Sequence, residues 1–192
     1  MPVTFTLINE TKEVVRMNRY IASDLYRLTG SVTIGKFLKI YLSSRSFRYL
    51  VAFRKLQGGG ALGRILWKLR PRGGLDIDPR TKIGYGLYIG HGGPVVINGT
   101  ARIGNNCNLS QFTTIGSNHG HAATIGDNVY IGPNVCLVED VIIESNVTIG
   151  AGSVVTKDIP ENATAAGNYA KVLNYRSPGR YIKNPWKVSN EG

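Results

Sequence analysis

The sequence has little of what marks several common protein classes. Its only cysteines, Cys107 and Cys136, are too few for a disulfide framework, and we interpret both as small buried thiols. It contains no P-loop, no G-x-S-x-G motif and no recognisable pair of catalytic carboxylates. Charged residues make up only 18% of the chain, whereas glycine reaches 24 residues. This composition favours tightly turning β structure over a helical bundle.

Long apolar runs are also missing. The first twenty residues lack the continuous apolar core of a secretory signal. The most hydrophobic stretch, residues 37–56, is interrupted by five basic side chains, which excludes a simple membrane span. We therefore expect a cytoplasmic protein.

The positive charge is confined to one part of the chain. Residues 1–75 hold 14 Lys or Arg against 3 Asp or Glu, a net charge of +11, whereas residues 76–192 hold nine of each. We predict a basic α-helical region over residues 1–75, with helices over 10–28, 36–56 and 61–69. A β domain over residues 76–160 and a tail over 161–192 would follow.

An aliphatic residue recurs every six positions through the β domain, and glycine follows it in seven of thirteen cases. A six-residue unit is a short strand plus a sharp turn, so three units form one triangular coil whose aliphatic side chains stack inward. The fourth residue after each aliphatic is mostly small or β-branched, which suits the inner corner of such a coil. The pattern predicts a mainly β fold, a parallel β-helix. The aliphatic positions are Ile77, Ile83, Ile89, Ile97, Ile103, Leu109, Ile115, Ile125, Ile131, Leu137, Ile143, Ile149 and Val155.

Two breaks in the six-residue phase coincide with the three histidines. The first break, between Ile89 and Ile97, contains His91, and the second, between Ile115 and Ile125, contains His119 and His121. Insertions in repeat proteins form loops, often on the binding face. His91 stands among glycines that cannot bury it, and an imidazole is the side chain best suited to act as a base near neutral pH.

Asp76 lies fifteen residues before His91, close to one coil of about eighteen residues, so its carboxylate could orient the imidazole. A metal site at His119 and His121 is the rival interpretation. The sequence offers no cysteine or carboxylate nearby to complete the ligands, so we predict no metal.

The chain resembles the serine acetyltransferase group of hexapeptide-repeat acyltransferases over residues 75–173. The resemblance rests on residues 75–91, which end in Ile89-Gly90-His91, and on residues 111–116, 149–155 and 164–167. It looks nearest to the branches that act in capsular or colanic-acid-type polysaccharide synthesis. Residues 24–27 and 47–49 resemble that branch less specifically.

The resemblance implies a left-handed β-helix, acetyl-CoA as donor, and a trimer or a dimer of trimers with active sites between neighbouring coils. It places the catalytic histidine on His91 and its orienting aspartate on Asp76. Substrate contacts would fall on His119, His121 and Gln111. Contacts with CoA would fall on Thr114, Gly132, Ala151, Lys157 and Lys171.

Three departures from the family pattern bear on the acceptor. Gly90 stands where the family has an aspartate that helps to hold the amino-acid acceptor. His119 and His121 are followed by Gly120 and Ala122 rather than proline, and Tyr169 stands where related acyltransferases often have proline.

We therefore predict an acetyl-CoA-dependent O-acetyltransferase that acts on a sugar hydroxyl of a bacterial-type polysaccharide or its precursor, with weak or no activity on L-serine. Serine O-acetylation is the alternative, and an inactive β-helix scaffold is a third. Nucleic-acid binding, prompted by the charge, has no recognition motif behind it.

The basic region interleaves its charges with apolar side chains. One interpretation is that its helices pack on the β-helix or on other subunits. The other is that a basic, aromatic surface contacts the anionic inner face of the cell membrane.

Overall fold

The computed structural model describes residues 4–8, 14–71 and 73–188. The described chain begins with an antiparallel hairpin and continues through four helices. The hairpin strands are β1 (Thr4–Ile8) and β2 (Val14–Asn18), and the helices are α1 (Arg19–Thr29), α2 (Ile34–Ser43), α3 (Arg45–Gln57) and α4 (Ala61–Leu69).

Two of the three helix predictions need correction. The predicted helix over residues 10–28 begins only at Arg19, because Val14–Asn18 pairs as a strand and Asn18 then caps the helix, accepting from the Tyr20 amide at 2.9 Å. The predicted helix over residues 36–56 is two helices. Ser44 has an extended backbone there, ends α2 and caps α3 through its hydroxyl.

The β domain is a parallel β-helix of three sheets, as the six-residue pattern predicts. The chain visits sheet I, sheet II and sheet III in turn, and successive coils pair in parallel. Sheet I consists of β3 (Leu75–Ile77), β6 (Val95–Ile97), β9 (Thr113–Gly116), β12 (Cys136–Val138) and β15 (Val154–Val155). Sheet II consists of β4 (Lys82–Ile83), β7 (Arg102–Ile103), β10 (Thr124–Ile125) and β13 (Ile142–Ile143). Sheet III consists of β5 (Tyr88–Ile89), β8 (Asn108–Leu109), β11 (Tyr130–Ile131), β14 (Thr148–Ile149), β16 (Thr164–Ala166) and the antiparallel β17 (Lys171–Asn174).

The thirteen repeating aliphatic residues form three inward columns, one on each sheet. Ile83, Ile103, Ile125 and Ile143, for example, are paired in register down sheet II. All thirteen are buried, and so are most of the small or β-branched residues four positions later, whereas Leu87 and Ile159 place larger buried side chains at that position. The third column continues past Ile149 to Ala165, so the coil extends beyond residue 160.

Asparagine turns the corner between sheets II and III, a feature absent from the sequence prediction. Asn106, Asn128, Asn146 and Asn162 all have positive φ angles between 57° and 64°, a conformation that asparagine tolerates better than most residues. The side-chain amide of Asn128 donates to Asn146 and that of Asn146 to Asn162, each at 3.1 Å.

The helices close the exposed end of the first coil. Arg54 donates to the carbonyls of Ile83 and Gly84 at 2.8 and 2.7 Å, and Arg27 donates to Gly86 at 2.8 Å. Strand groups that no earlier coil covers are thereby satisfied, as an open sheet edge requires.

Some of the aromatic side chains predicted to form an outer surface of the helical region are instead buried. Phe47, Tyr49 and Phe53 are fully buried. None of the helices in the described part of the chain has both the length and the apolar composition needed to cross a bilayer.

Candidate functional site

An open cavity of about 690 Å³ lies on the outer face of sheet I. Its floor is built from the outward-facing residues of four successive strands, Asp76, Val96, Thr114 and Cys136. Inward and outward side chains alternate along a strand. Because Ile77 and Ile115 point into the core, their neighbours Asp76 and Thr114 point outward to the cavity. Two residues predicted for the site therefore share one surface.

The walls of this cavity carry opposite charges. Arg70, after α4, lies with its guanidinium carbon 3.6 Å from the ring centroid of Trp67. The other wall holds Ser117 and Glu139, which are joined by a 2.5 Å hydrogen bond. A zwitterionic or mixed-charge ligand suits such a cavity.

The sequence prediction missed these four wall residues. The sequence does indicate that Ser117 and Glu139 lie side by side, because they are separated by the same number of residues as Ile115 and Leu137, which pair in register. Trp67 and Arg70 give no such signal, since the docking of α4 sets their place.

His91 lies at the corner that links sheet III to sheet I, separated from β5 by Gly90, and is exposed. The corner turns closely over the next coil, and a Cβ at Gly93 would come within 2.8 Å of the Gln111 side chain. Gln111, another predicted site residue, therefore lies beneath the His91 loop.

Asp76 and His91 make no hydrogen bond with each other within the described ranges, because Asp76 faces out from sheet I and His91 stands at its edge. The proposed pairing of the two residues stays a prediction.

His119 and His121 lie at the opposite edge of sheet I, in the loop of residues 117–122 that links β9 to β10. Both side chains are exposed. Glu139 accepts hydrogen bonds from the amides of Asn118 and His119, each at 3.3 Å, and from the Ser117 hydroxyl. The Ser117 hydroxyl and these amides hold the pKa of the Glu139 carboxyl below its usual range.

The residues predicted to contact CoA are spread over the outer face of sheet I, where Thr114 lies, the two edges of that sheet, and the end of sheet III. Gly132 and Ala151 lie on the His91 side, where a Cβ at Gly132 would come within 2.9 Å of the Ala151 amide. Lys157 follows β15 on the other side, and Lys171 begins β17 at the end of sheet III. Within the described residues no three histidine, cysteine or carboxylate side chains are grouped as metal ligands would be.

Comparison with known proteins shows one consistent relationship. The family of bacterial transferase hexapeptides (six repeats) matches residues 122–157. Serine acetyltransferase 3 of Arabidopsis thaliana is 39% identical over 116 residues, which cover 58% of this chain and 30% of the relative. Serine acetyltransferase of Synechococcus elongatus is 37% identical over 108 residues, which cover 54% and 44%. The chain thus spans less than half the length of these curated relatives.

Two solved structures are similar over most of the chain. Neisseria gonorrhoeae serine acetyltransferase in complex with serine has 31% identity and a TM-score of 0.64, covering 79% of this chain and 67% of its own. Soybean serine acetyltransferase complexed with serine has 28% identity and a TM-score of 0.66, covering 80% and 68%. The predicted fold, including a left-handed coil, fits these structures.

The comparisons correct the predicted acceptor. These relatives are named serine acetyltransferases, which contradicts the prediction that the acceptor is a sugar hydroxyl of a polysaccharide. The predicted nearness to the polysaccharide branch has no support either. The prediction of a sugar acceptor was wrong because it relied on Gly90 and on short N-terminal matches more than on the long hexapeptide region.

Proposed function

Since the chain belongs to the hexapeptide-repeat acyltransferases of the serine acetyltransferase type, we propose that it transfers the acetyl group of acetyl-CoA to the hydroxyl of L-serine. The observation that carries this proposal is the 31% identity, over 79% of the chain, to an acetyltransferase structure in complex with serine. The charged cavity beside Asp76 supports it, because serine carries one positive and one negative group.

In the proposed mechanism, His91 is the general base. Its imidazole removes the proton of the serine hydroxyl while that oxygen attacks the thioester carbonyl carbon. The C–S bond then breaks, and the CoA thiolate takes up the proton from the imidazolium. Asp76 would orient the imidazole, although the two side chains form no hydrogen bond in the single chain. His119, His121 and Gln111 are proposed to hold serine, and Thr114, Gly132, Ala151, Lys157 and Lys171 to hold CoA.

We assign the active site to the boundary between two protomers of a trimer. This proposal is supported by the position of His91 and His119 at opposite edges of sheet I, since no single coil edge carries both groups. A second protomer that packs its His119 edge against the His91 edge of the first would unite them.

We also propose that the outer faces of α2 and α4 contact an anionic membrane surface. Helices α2 and α4 expose Lys36, Lys39, Arg64 and Lys68, and neither helix contains Asp or Glu. Five large apolar side chains on these helices are more than half exposed: Leu38, Leu42, Leu62, Ile65 and Leu69. Exposed apolar residues beside unopposed positive charge suit anionic lipid better than a second copy of the same positive surface.

The acceptor proposal is tested by acetyl-CoA-dependent release of CoA with L-serine, with L-alanine as the matched compound that lacks only the hydroxyl. Release should require serine, and His91→Ala should reduce turnover by about 10²–10⁴-fold while circular dichroism stays unchanged. Mixed trimers of His91→Ala and His119→Ala chains should regain activity, because one boundary then keeps both histidines. Absence of serine-dependent release would contradict the acceptor, and near-normal turnover of His91→Ala would contradict the base.

A further inference from the structure

The loop of residues 117–122 is exposed at its tip, and both of its ends are hydrogen-bonded to the preceding coil. At its far end, the Ala122 amide donates to the Thr100 hydroxyl at 2.9 Å. At its near end, the Asn98 side chain donates to the Ser117 carbonyl at 3.4 Å. These two contacts come from the preceding coil.

Glu139, from the following coil, supplies the densest set of contacts to this loop. Its two carboxylate oxygens accept from the Ser117 hydroxyl at 2.5 Å and from the amides of Asn118 and His119 at 3.3 Å. The His119 amide lies equally close to the Ser117 hydroxyl, at 3.3 Å. One side chain therefore gathers three consecutive residues that lead to an imidazole.

The backbone of Glu139 is itself fixed. Its amide donates to the Gly116 carbonyl at 2.9 Å, its φ angle is 61°, and its carboxylate bonds to the loop of the preceding coil. A left-handed glutamate costs free energy relative to glycine or asparagine. The hydrogen bonds of its carboxylate are a reason for glutamate to occupy such a position.

We propose that Glu139 is a positioning residue for the acceptor side of the active site, holding the 117–122 loop so that His119 stays at the edge of the Asp76 cavity. This inference rests on the proposed function, in which His119 contacts serine. Glu139 acts through the loop and does not itself react.

The lowered pKa of Glu139 is consistent with this role, because hydrogen bonds donated to the carboxylate stabilise its ionised form. Below the pH at which that carboxylate takes up a proton, the loop would lose its charge-assisted acceptor. Near neutral pH the three hydrogen bonds from the loop to the Glu139 carboxylate are therefore present.

The test compares Glu139→Gln and Glu139→Ala with Glu161→Gln, which alters an exposed glutamate in a turn between sheets II and III. Alanine removes the three hydrogen bonds between the side chain of residue 139 and the loop, whereas glutamine keeps one acceptor oxygen. We expect kcat/KM for serine to fall by about 10–100-fold in the alanine variant and by less in the glutamine variant. The KM for acetyl-CoA and the control variant should stay unchanged.

A second readout does not depend on the acceptor. Amide hydrogen exchange at residues 118–120 and the His119 ring resonances should show a faster, more mobile loop in Glu139→Ala, with the β-helix core unaffected. If the wild-type protein does not acetylate serine, the proposed function fails, and the exchange rates still decide the role of Glu139. Unchanged exchange in the alanine variant, or equal losses for serine and acetyl-CoA, would overturn the inference.

Discussion

At the scale of single residues, Gly90 is the clearest departure from the family pattern. It directly precedes His91, and the resemblance implies a carboxylate there that would pair with the ammonium group of serine. A Cβ at Gly90 would lie 3.0 Å from the Tyr88 ring, so an aspartate fits if that ring shifts by a few tenths of an ångström. The φ angle of Gly90 is not in the left-handed region, so the backbone accepts the change.

We therefore predict that Gly90→Asp lowers the KM for serine by about two- to fivefold, the worth of one exposed ion pair of about 0.5–1 kcal/mol. The KM for acetyl-CoA should not change. Gly90→Asn, which matches aspartate in size without its charge, is the control. Steady-state kinetics on the three proteins measure the effect, and equal KM values in the aspartate and asparagine variants would contradict it.

The two cysteines differ more than their sequence context indicates. Cys107 is fully buried, and burial raises the pKa of its thiol to about 12. Cys136 is only half-buried on the cavity floor beside Thr114, so the interpretation of both as buried thiols is wrong for Cys136.

A disulfide reagent at pH 8 should consequently modify one thiol of the native protein, since the thiolate is the reactive form. Cys136→Ser should abolish that reaction, and acetyl-CoA should slow it if the cavity receives the donor. Absorbance of the released thiolate follows the reaction. Fast modification that persists in Cys136→Ser would show that Cys107 is accessible after all.

At the scale of secondary-structure elements, the buried pair of Asp24 and Arg54 joins the helices to the first coil. Arg54 binds both carboxylate oxygens at 3.0 and 3.1 Å and also donates to two strand carbonyls. Burial raises the pKa of the Asp24 carboxyl, against the opposing attraction of Arg54. A buried charge that loses its partner is costly, which makes this pair a point of high sensitivity.

Arg54→Met should lower the free energy of unfolding by about 3–5 kcal/mol, because it strands the Asp24 carboxylate and two carbonyls. Arg64→Met, at an exposed arginine of α4, is the control and should change little. The double variant Asp24→Asn/Arg54→Met should recover part of the loss, since the stranded charge is gone. Urea denaturation measures all three, and equal stabilities of Arg54→Met and Arg64→Met would contradict the capping role.

The elements most fully predicted from sequence are those set by a local repeat. The six-residue phase located the inward positions of the coil because each repeat meets the same neighbours. The strand Val14–Asn18 and the break at Ser44 escaped prediction, since they depend on the hairpin partner and on capping rather than on periodicity. The cavity wall at Arg70 escaped because the docking of α4 sets its place, whereas the position of Glu139 over Ser117 follows from the coil step that pairs Ile115 with Leu137.

At the scale of the whole molecule, the helical region has two faces with different roles. Its inner face packs on the first coil through Tyr49 and Phe53, whereas Phe47 packs among the helices against Ile21, Leu25 and Val51. Removing the helices would uncover the strand groups that Arg27 and Arg54 satisfy. The membrane proposal is therefore better tested by surface substitutions than by deletion.

The outer face should bind vesicles that contain phosphatidylglycerol and not vesicles of phosphatidylcholine alone. Each basic side chain near anionic lipid contributes about 1 kcal/mol, so Lys39→Gln and Lys68→Gln should each weaken binding by about fivefold. Leu42→Ser/Leu69→Ser should weaken it further, because these side chains are 75% and 76% exposed. Ile142→Ser is the matched control, since Ile142 is a 43% exposed residue of sheet II. Co-sedimentation at rising salt measures the charge dependence. Equal recovery with both kinds of vesicle, or equal binding of the leucine and isoleucine variants, would leave the helices with their packing role alone.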